Sequence, residues 1–301
     1  MALNLHLLRI FATVAEFNNF SRAAEALYIS QPAVSKAVQQ LEQQVGLSLL
    51  DRSHRKLALT EAGTLLYQYA QRLFAIEQAA ETALDQLQGL ESGHLALGAS
   101  HTVGTYLLPP LLGRFHQQYP GVHLTLQIAN TQTVIEVLQM QALDLVFVEG
   151  PVNDEDLTIE AWRNDHLMAI VPPNHPLVSQ QPVTLKQLAT EPYVQREFGS
   201  GTRAIVEKAF KQQGLELNVA IELSSNEAVK QAVSAGLGIS IVSDLTIALE
   251  LAANSLAVVE IQEIDFTRTL SQVMLNEKPV SPAASAFLQL LHGHNSPFSD
   301  R

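Results

Sequence analysis

Residues 21–45 read SRAAEALYISQPAVSKAVQQLEQQV. Ser21 is placed to cap a short helix, Arg22 to Leu27, in which Ala23, Ala24 and Ala26 allow close packing. Tyr28 and Ile29 make a brief turn. Ser30 then caps a longer helix, and Pro32 fits its first turn, where a missing N–H does no harm. Val34, Val38 and Leu41 fall at i, i+4 and i+7 and face inward; Gln31, Ser35, Lys36, Gln39 and Gln43 fall on the opposite face.

Upstream, Leu7, Leu8, Phe11, Val14 and Ala15 predict a buried stripe on a helix from Leu5 to Glu16, broken by Asn18 and Asn19. Downstream, the alternation of Lys56, Leu57, Ala58 and Leu59 around a basic turn predicts a β-hairpin. Two short helices three residues apart match helix-turn-helix geometry. The polar face of the 31–45 helix suits DNA: glutamine pairs with adenine, lysine reaches guanine or phosphate, and serine bonds to either. Recognition helices read bases mainly with their N-terminal residues. The candidate DNA contacts are therefore Ser21 and Arg22 on the second helix, Gln31, Pro32, Ser35, Lys36 and Gln39 on the third, and Arg52, Arg55 and Lys56 on the hairpin. Taken alone, each of these also fits a solvated surface.

The chain has 301 residues, enough for two or three domains, and 47% of them are apolar. It contains no cysteine, which excludes disulfides, cysteine-ligated zinc and a thiol nucleophile. No signal peptide or apolar span is legible, so the expected location is cytoplasmic, without a membrane. The net charge of −12 is unevenly spread. Residues 1–60 carry six basic and four acidic side chains, which leaves −14 for the rest. A mildly basic head holds phosphate despite an acidic body, because screening confines charge to about 8 Å.

The run from Ser21 to Ser35, then Leu41 and Glu42, Gly46, Leu49 to Arg52, and Thr60 to Gly63, closely resembles the LysR-type transcriptional regulators over about sixty residues. Leu50 departs from the commoner phenylalanine, which alters only core packing. The resemblance implies that the three helices and hairpin are a winged helix-turn-helix bound to operator DNA. It also implies a sensing domain of the two-lobed periplasmic-binding-protein fold and a homotetramer built as a dimer of dimers.

From Ala62 the apolar positions run Ala62, Leu66, Tyr69, Leu73, Ile76, Ala80, Ala83, Leu87, with steps of four and three. That period predicts a coiled coil. A lone helix of this length is marginal in water, so a homodimer through residues 62–89 is expected. The expected organisation is α + α/β: a winged helix-turn-helix over 1–60, a coiled-coil linker helix over 61–90 and an α/β effector domain over 91–301. Its first lobe takes about 91–164 and 267–301, its second about 165–266.

Residues 90–301 alternate strand-like and helix-like runs. Strands are expected at Leu95–Ala99, Val122–Ile128, Leu143–Val148, Leu167–Val171, Pro192–Gln195, Val219–Leu223, Ile239–Val242, Ala257–Glu260 and Leu270–Leu275. Helices fit about 107–118, 132–140, 202–213, 226–235, 244–251 and 282–291. The segment from Arg196 to Arg203 reads REFGSGTR between a strand and a helix. Gly199 and Gly201 let backbone approach a ligand, Ser200 and Thr202 offer hydroxyls, the helix start offers N–H groups, and Arg196 or Arg203 adds a charged fork. Together they suit a small anionic effector: a sulfur oxyanion, a phosphate ester or a carboxylate. Ser100, His101 and Thr102 follow one strand, Asn130 and Thr131 another, and Asn226 starts a helix. Each also fits a helix cap. Glu149 is odd beside an anion; it binds a ligand proton or hydroxyl, pairs with an arginine, or is exposed. By resemblance these strand ends line an effector cleft, and the REFGSGTR variant is similar to members that sense sulfur oxyanions or phosphorylated metabolites of carbon assimilation.

No cofactor, metal site or catalytic motif is legible, and His101 suits binding better than general-base work. The competing reading is a small-molecule-binding protein or binding-fold enzyme with an N-terminal helical extension.

Overall fold

The computed structural model describes residues 3–51, 57–86, 93–262, 266–276 and 278–292. The chain divides into two compact units, and the division falls after Glu81.

The first unit holds α1 (Leu5–Phe17), α2 (Phe20–Ala26), α3 (Gln31–Val45), the hairpin β1 (Leu50–Asp51) and β2 (Ala58–Leu59), and the first part of α4 (Glu61–Gln86). The cap of α2 corrects the sequence expectation. Asn19, not Ser21, is the N-cap, its side chain accepting from the Ser21 and Arg22 amides, and Ser21 lies inside the helix. An Asn after a left-handed Asn18 caps as well as a serine does, and the helix gains one turn-closing residue. Ser30 caps α3 as its sequence suggests, with Pro32 in the first turn and Gly46 closing the end at φ +76°. Leu8, Phe11, Val14, Val34, Val38, Leu41 and Leu49 are fully buried and make one core. The turn residue Tyr28 holds φ +55° and is 96% exposed.

The hairpin pairs Leu50 with Leu59 and Asp51 with Ala58; Arg52, Arg55 and Lys56 lie outside the described residues. Several residues of the N-terminal motif are bound to this junction. The Glu42 carboxylate accepts from the Leu49 amide at 2.8 Å, and the Thr60 hydroxyl donates to the Ser48 carbonyl at 2.7 Å. At Gly63 a Cβ would stand 1.9 Å from the Leu49 carbonyl oxygen, so α4 packs on the hairpin closer than any side chain permits.

Helix α4 has two apolar faces. Ala62, Leu66, Tyr67, Ala70 and Phe74 pack on the core of their own unit, and Arg9 lies over the Phe74 ring and pairs with Glu77. Leu65, Tyr69 and Ile76 are 57%, 60% and 59% exposed on the other face. The stripe expected for a partner helix therefore splits: Ala62 and Leu66 serve the internal core, and Leu65 joins Tyr69 and Ile76 outside. Leu87 and the Ala83 side chain lie outside the described residues.

In the second unit β3 (Gly93–Ala99) leads into a π-helical turn (Val103–Leu107) and α5 (Leu108–Gln118). Then come β4 (Val122–Ile128), α6 (Thr131–Gln139), β5 (Leu145–Glu149), β6 (Leu157–Val171), α7 (Leu185–Thr190), β7 (Pro192–Arg196), α8 (Gly201–Gln212) and β8 (Asn218–Leu223). The chain ends with α9 (Asn226–Ser234), β9 (Ser240–Ser243), α10 (Ala248–Ala252), β10 (Ala257–Val259), β11 (Thr267–Leu275) and α11 (Pro282–His292). Strands β3, β4 and β5 are parallel, and β11 joins β5 antiparallel. The long strand β6 pairs β11 over Leu157–His166, then continues over Leu167–Val171 against β9 and β10. It thus runs from a first lobe, cored by Leu97, Phe115, Phe147 and Phe287, into a second, cored by Leu188, Phe210, Ile239 and Ile241. The sequence reading started this strand at Leu167, because Glu160, Arg163, Asn164 and Asp165 hide its first half among polar residues.

Gly63→Ala is expected to destabilise the first unit by about 1–3 kcal/mol through overpacking. Urea unfolding of the full chain measures this, and an unchanged midpoint would contradict the close approach.

Candidate functional site

Two places concentrate polar groups. The first is the outer face of α3. Gln31, Pro32, Lys36 and Gln39 are exposed, Ser35 is half-buried, and Ser21 and Arg22 are exposed on α2. Val34, Ala37, Val38 and Leu41 bury the opposite face, which fixes the polar one outward. The Arg22 guanidinium lies over the Phe17 ring, 5.3 Å from its centroid.

The second place is the junction of the two lobes. Ser100 follows β3, Glu149 ends β5, Arg196 ends β7, and Thr102, Thr202 and Asn226 sit on the helical turns that follow strands. All six side chains are buried. They form one connected set. Ser100 donates to the Glu149 carboxylate, and the Thr102 hydroxyl lies 3.4 Å from its other oxygen. The Asn226 amide donates to Thr102 at 3.3 Å, and Arg196 donates to the Asn226 carbonyl oxygen. Arg196 also forks onto Glu197 at 2.7 and 2.9 Å.

At the centre stands a residue that the sequence reading missed. Arg268 of β11 is the register partner of Asp165 of β6, where the paired strands pass between lobes. Its guanidinium bonds Asp165 at 2.6 Å, Thr202 at 2.8 Å and Thr102 at 3.4 Å, and lies 3.9 Å from Glu149. A lone arginine in a strand between two threonines carries no local motif. The only signal was the oddity of Glu149, for which pairing with an arginine was one reading.

Four expected residues, Asn130, Thr131, Gly199 and Gly201, sit at a seam beside this set. The Thr131 hydroxyl donates to the Glu149 carbonyl at 2.8 Å, and Gly201 packs so close that a Cβ would stand 1.9 Å from that carbonyl. Asn130 donates to the Phe198 carbonyl, and the Gln132 amide donates to the Gly199 carbonyl at 3.2 Å. Beyond the seam Thr131, Phe198, Gly199 and Ser200 line an open groove of about 450 Å³. The Ser200 hydroxyl is occupied as the cap of α8. Arg203 does not point into the central set. Its guanidinium is held by Glu207 at 2.8 Å, Glu222 at 2.7 Å and the Arg196 carbonyl at 3.1 Å, because two nearby carboxylates outcompete a distant cleft. His101 is half-buried near Arg196; burial first, and then that positive charge, lower its pKa.

A second bridge between the lobes also escaped the sequence. Tyr106, on the π-helical turn, donates to Glu227 at 2.7 Å, and the buried Lys230 bonds the Tyr106 hydroxyl at 3.2 Å. Burial alone would depress the Lys230 ammonium, but bonds to Glu227 and Glu250 outweigh it and hold the group above its ordinary value. At Glu149 burial wins: it raises the carboxyl above its ordinary range despite Arg268 and Arg196.

A winged helix-turn-helix joined to a two-lobed α/β sensing domain is the architecture of a DNA-binding transcriptional regulator. The profile described as "Bacterial regulatory helix-turn-helix protein, lysR family" matches residues 5–64, and that of the "LysR substrate binding domain" matches residues 88–296. The chain belongs to the LysR family. It is 38% identical over 295 residues to the HTH-type transcriptional activator CmpR of a Synechocystis strain, covering 98% of this chain and 97% of that one. The regulatory domain of Synechocystis PCC6803 CcmR, solved in complex with 2-PG, is similar at 32% identity and a TM-score of 0.65, over 69% of this chain and 99% of that one. Full-length CbnR, solved with its target DNA, shares the fold at 22% identity and a TM-score of 0.72, over 96% and 99%. No helix among the described residues is long and apolar enough to cross a membrane.

Arg268→Ala is expected to cost the second unit about 3–5 kcal/mol, because Asp165 is left as an unpaired buried charge. Adding Asp165→Ala should recover part of that loss, so the double variant is more stable than the sum of the singles. Strict additivity in urea unfolding would show that the pair is not coupled.

Proposed function

We propose that the chain reads operator DNA with α3 and that an anionic effector in the inter-lobe cleft sets how it does so. The observation that carries the DNA contacts is the outward face of α3, with Gln31, Lys36 and Gln39 exposed and the opposite face locked into the core. Side chains of these types pair with base edges and phosphates. Ser21 and Arg22 stand near the α2 start for phosphate, and Arg52, Arg55 and Lys56, which lie between β1 and β2 in sequence, would follow the backbone.

Leu65, Tyr69 and Ile76 leave an apolar stripe on α4 that a second copy of the helix would cover, and two copies present two recognition helices to half-sites. A tetramer follows the family habit. A regulator of this kind works in the cytoplasm, where its DNA is, and catalyses nothing.

For the effector, Ser100, Thr102, Thr202 and Asn226 supply neutral polar groups, and Arg196 and Arg268 supply charge. His101 stands at the edge, and Thr131, Gly199, Ser200 and Gly201 at the seam. The similarity to a domain solved with 2-PG favours a phosphorylated metabolite over a sulfur oxyanion or simple carboxylate.

Lys36→Ala should weaken binding to a fragment of the protein's own promoter by about 1–3 kcal/mol, read by gel shift at fixed salt. Unchanged affinity would remove α3 from the groove. 2-PG in large excess should raise the melting temperature of the wild type, as any ligand selective for the native state does. The same addition to Asn226→Ala should give a clearly smaller rise. Equal rises would place the ligand elsewhere.

A further inference from the structure

The cleft donors are not vacant. Ser100 and Thr102 already face an oxyanion, the Glu149 side chain, which ends β5 at the point where β3 also ends. Glu149 is 3% exposed at its side chain, and Arg268 is 2% exposed and 3.9 Å away. We propose that Glu149 is the resident occupant of the anion site and admits the effector's negative charge only when its own carboxyl carries a proton. This rests on the effector reading given above and specifies how that site selects its ligand.

The charge inventory argues for it. Around Glu149 stand Arg268 on β11, Arg196 on β7, Asp165 on β6, and Glu197 and His101 beside Arg196. Arg268 is matched by Asp165 at 2.6 Å, and Arg196 by the fork to Glu197. Glu149 is the third carboxylate within direct reach of the two guanidiniums; Asp244, just after β9, bonds to Asp165 from behind, and burial and then that neighbouring charge push its own carboxyl up toward the neutral form. While it is ionised the set already carries one excess negative charge, and a second buried anion would have no counter-ion. When it is protonated the set is balanced, and the carboxyl gains an O–H to donate to the ligand. Ser100 and Thr102 hydroxyls rotate freely enough to turn from Glu149 to a ligand oxygen. The proton comes from solvent and stays on Glu149; no bond in the ligand changes. Burial, which raises the affinity of Glu149 for a proton, acts in the same direction.

The test uses the full chain and two probes, 2-PG and inorganic sulfate, the latter because sulfate itself does not titrate near neutrality. Isothermal calorimetry is run between about pH 5.5 and pH 8.5, on the wild type and on Glu149→Gln. Wild-type affinity should fall as pH rises, approaching about tenfold per pH unit at the alkaline end. Up to one proton should be taken up per sulfate bound. Glu149→Gln, a neutral isostere that keeps a donor, should bind sulfate without proton uptake, with flat pH dependence and at least about tenfold tighter than the wild type at the alkaline end. On the wild type alone, infrared difference spectra should show a protonated-carboxyl stretch appearing when sulfate is added at alkaline pH. Flat wild-type binding, or the absence of that band despite binding, overturns the proposal while leaving the effector site in place. Failure of both probes to bind either protein at any pH removes the effector site itself, and the proposal with it.

Discussion

A guanidinium shut away from water needs its counter-charge inside the protein, and Arg268 finds it one strand away in Asp165. The cost of burying two charges is recovered only with good geometry and with partners for the remaining N–H groups. Thr102 of the first lobe and Thr202 of the second supply those partners. The requirement of one side chain therefore ties together β6 and β11, which pass between the lobes, and the two helical starts that face each other across the cleft. Glu149 and Asn226 are organised around this point because they share Thr102 or Arg268 as neighbours, and Ser100 joins through its bond to Glu149.

The N-terminal unit obeys a simpler constraint. Helices α1, α2 and α3 are short, so none is stable alone, and each depends on the shared core of Leu8, Phe11, Val38 and Leu41. That core leaves α3 one face for solvent. Among the described residues the side chains of Gln31, Lys36 and Gln39 on that face make no hydrogen bond or ion pair, so their chemistry is free to serve recognition. Tyr28 is the exception to economical folding here: a bulky side chain in a left-handed turn, almost wholly exposed, where glycine or asparagine would be less strained.

How far the sequence could be read follows from how local each determinant is. Ser30 as a cap, Pro32 in a first turn and the Val34–Val38–Leu41 stripe are written within a dozen residues, and the structure contains them. The choice of Asn19 over Ser21 was not decidable locally, since both are good caps and only the packing of Phe20 selects between them. The cleft was partly legible, because strand ends and helix starts are local, so Ser100, Thr102, Thr202 and Asn226 could be named. Arg268 and Asp165 could not, since they meet across about a hundred residues of chain and neither carries a motif. Arg203 drew attention in the sequence by standing in a glycine-rich turn, yet Glu207 one helical turn on and Glu222 on β8 claim it. A charged residue's role depends on which opposite charge reaches it first, and that is a property of the fold.

The same groups that would hold an anion also hold the lobes together. Thr102 links Glu149, Arg268 and Asn226 across the cleft, and Arg196 reaches Asn226 on the same lobe. A ligand that takes any of these bonds must break one that the observed arrangement uses, or replace it with an equivalent. Ligand affinity and lobe arrangement are then one equilibrium seen from two sides, and a ligand shifts the arrangement only by the difference in what it offers each. The Tyr106–Glu227–Lys230 bridge lies outside that exchange, since its side-chain bonds run among its own members, Thr246 and Glu250 and not to the central set. It therefore joins the two lobes by bonds that a ligand in the central set would leave in place.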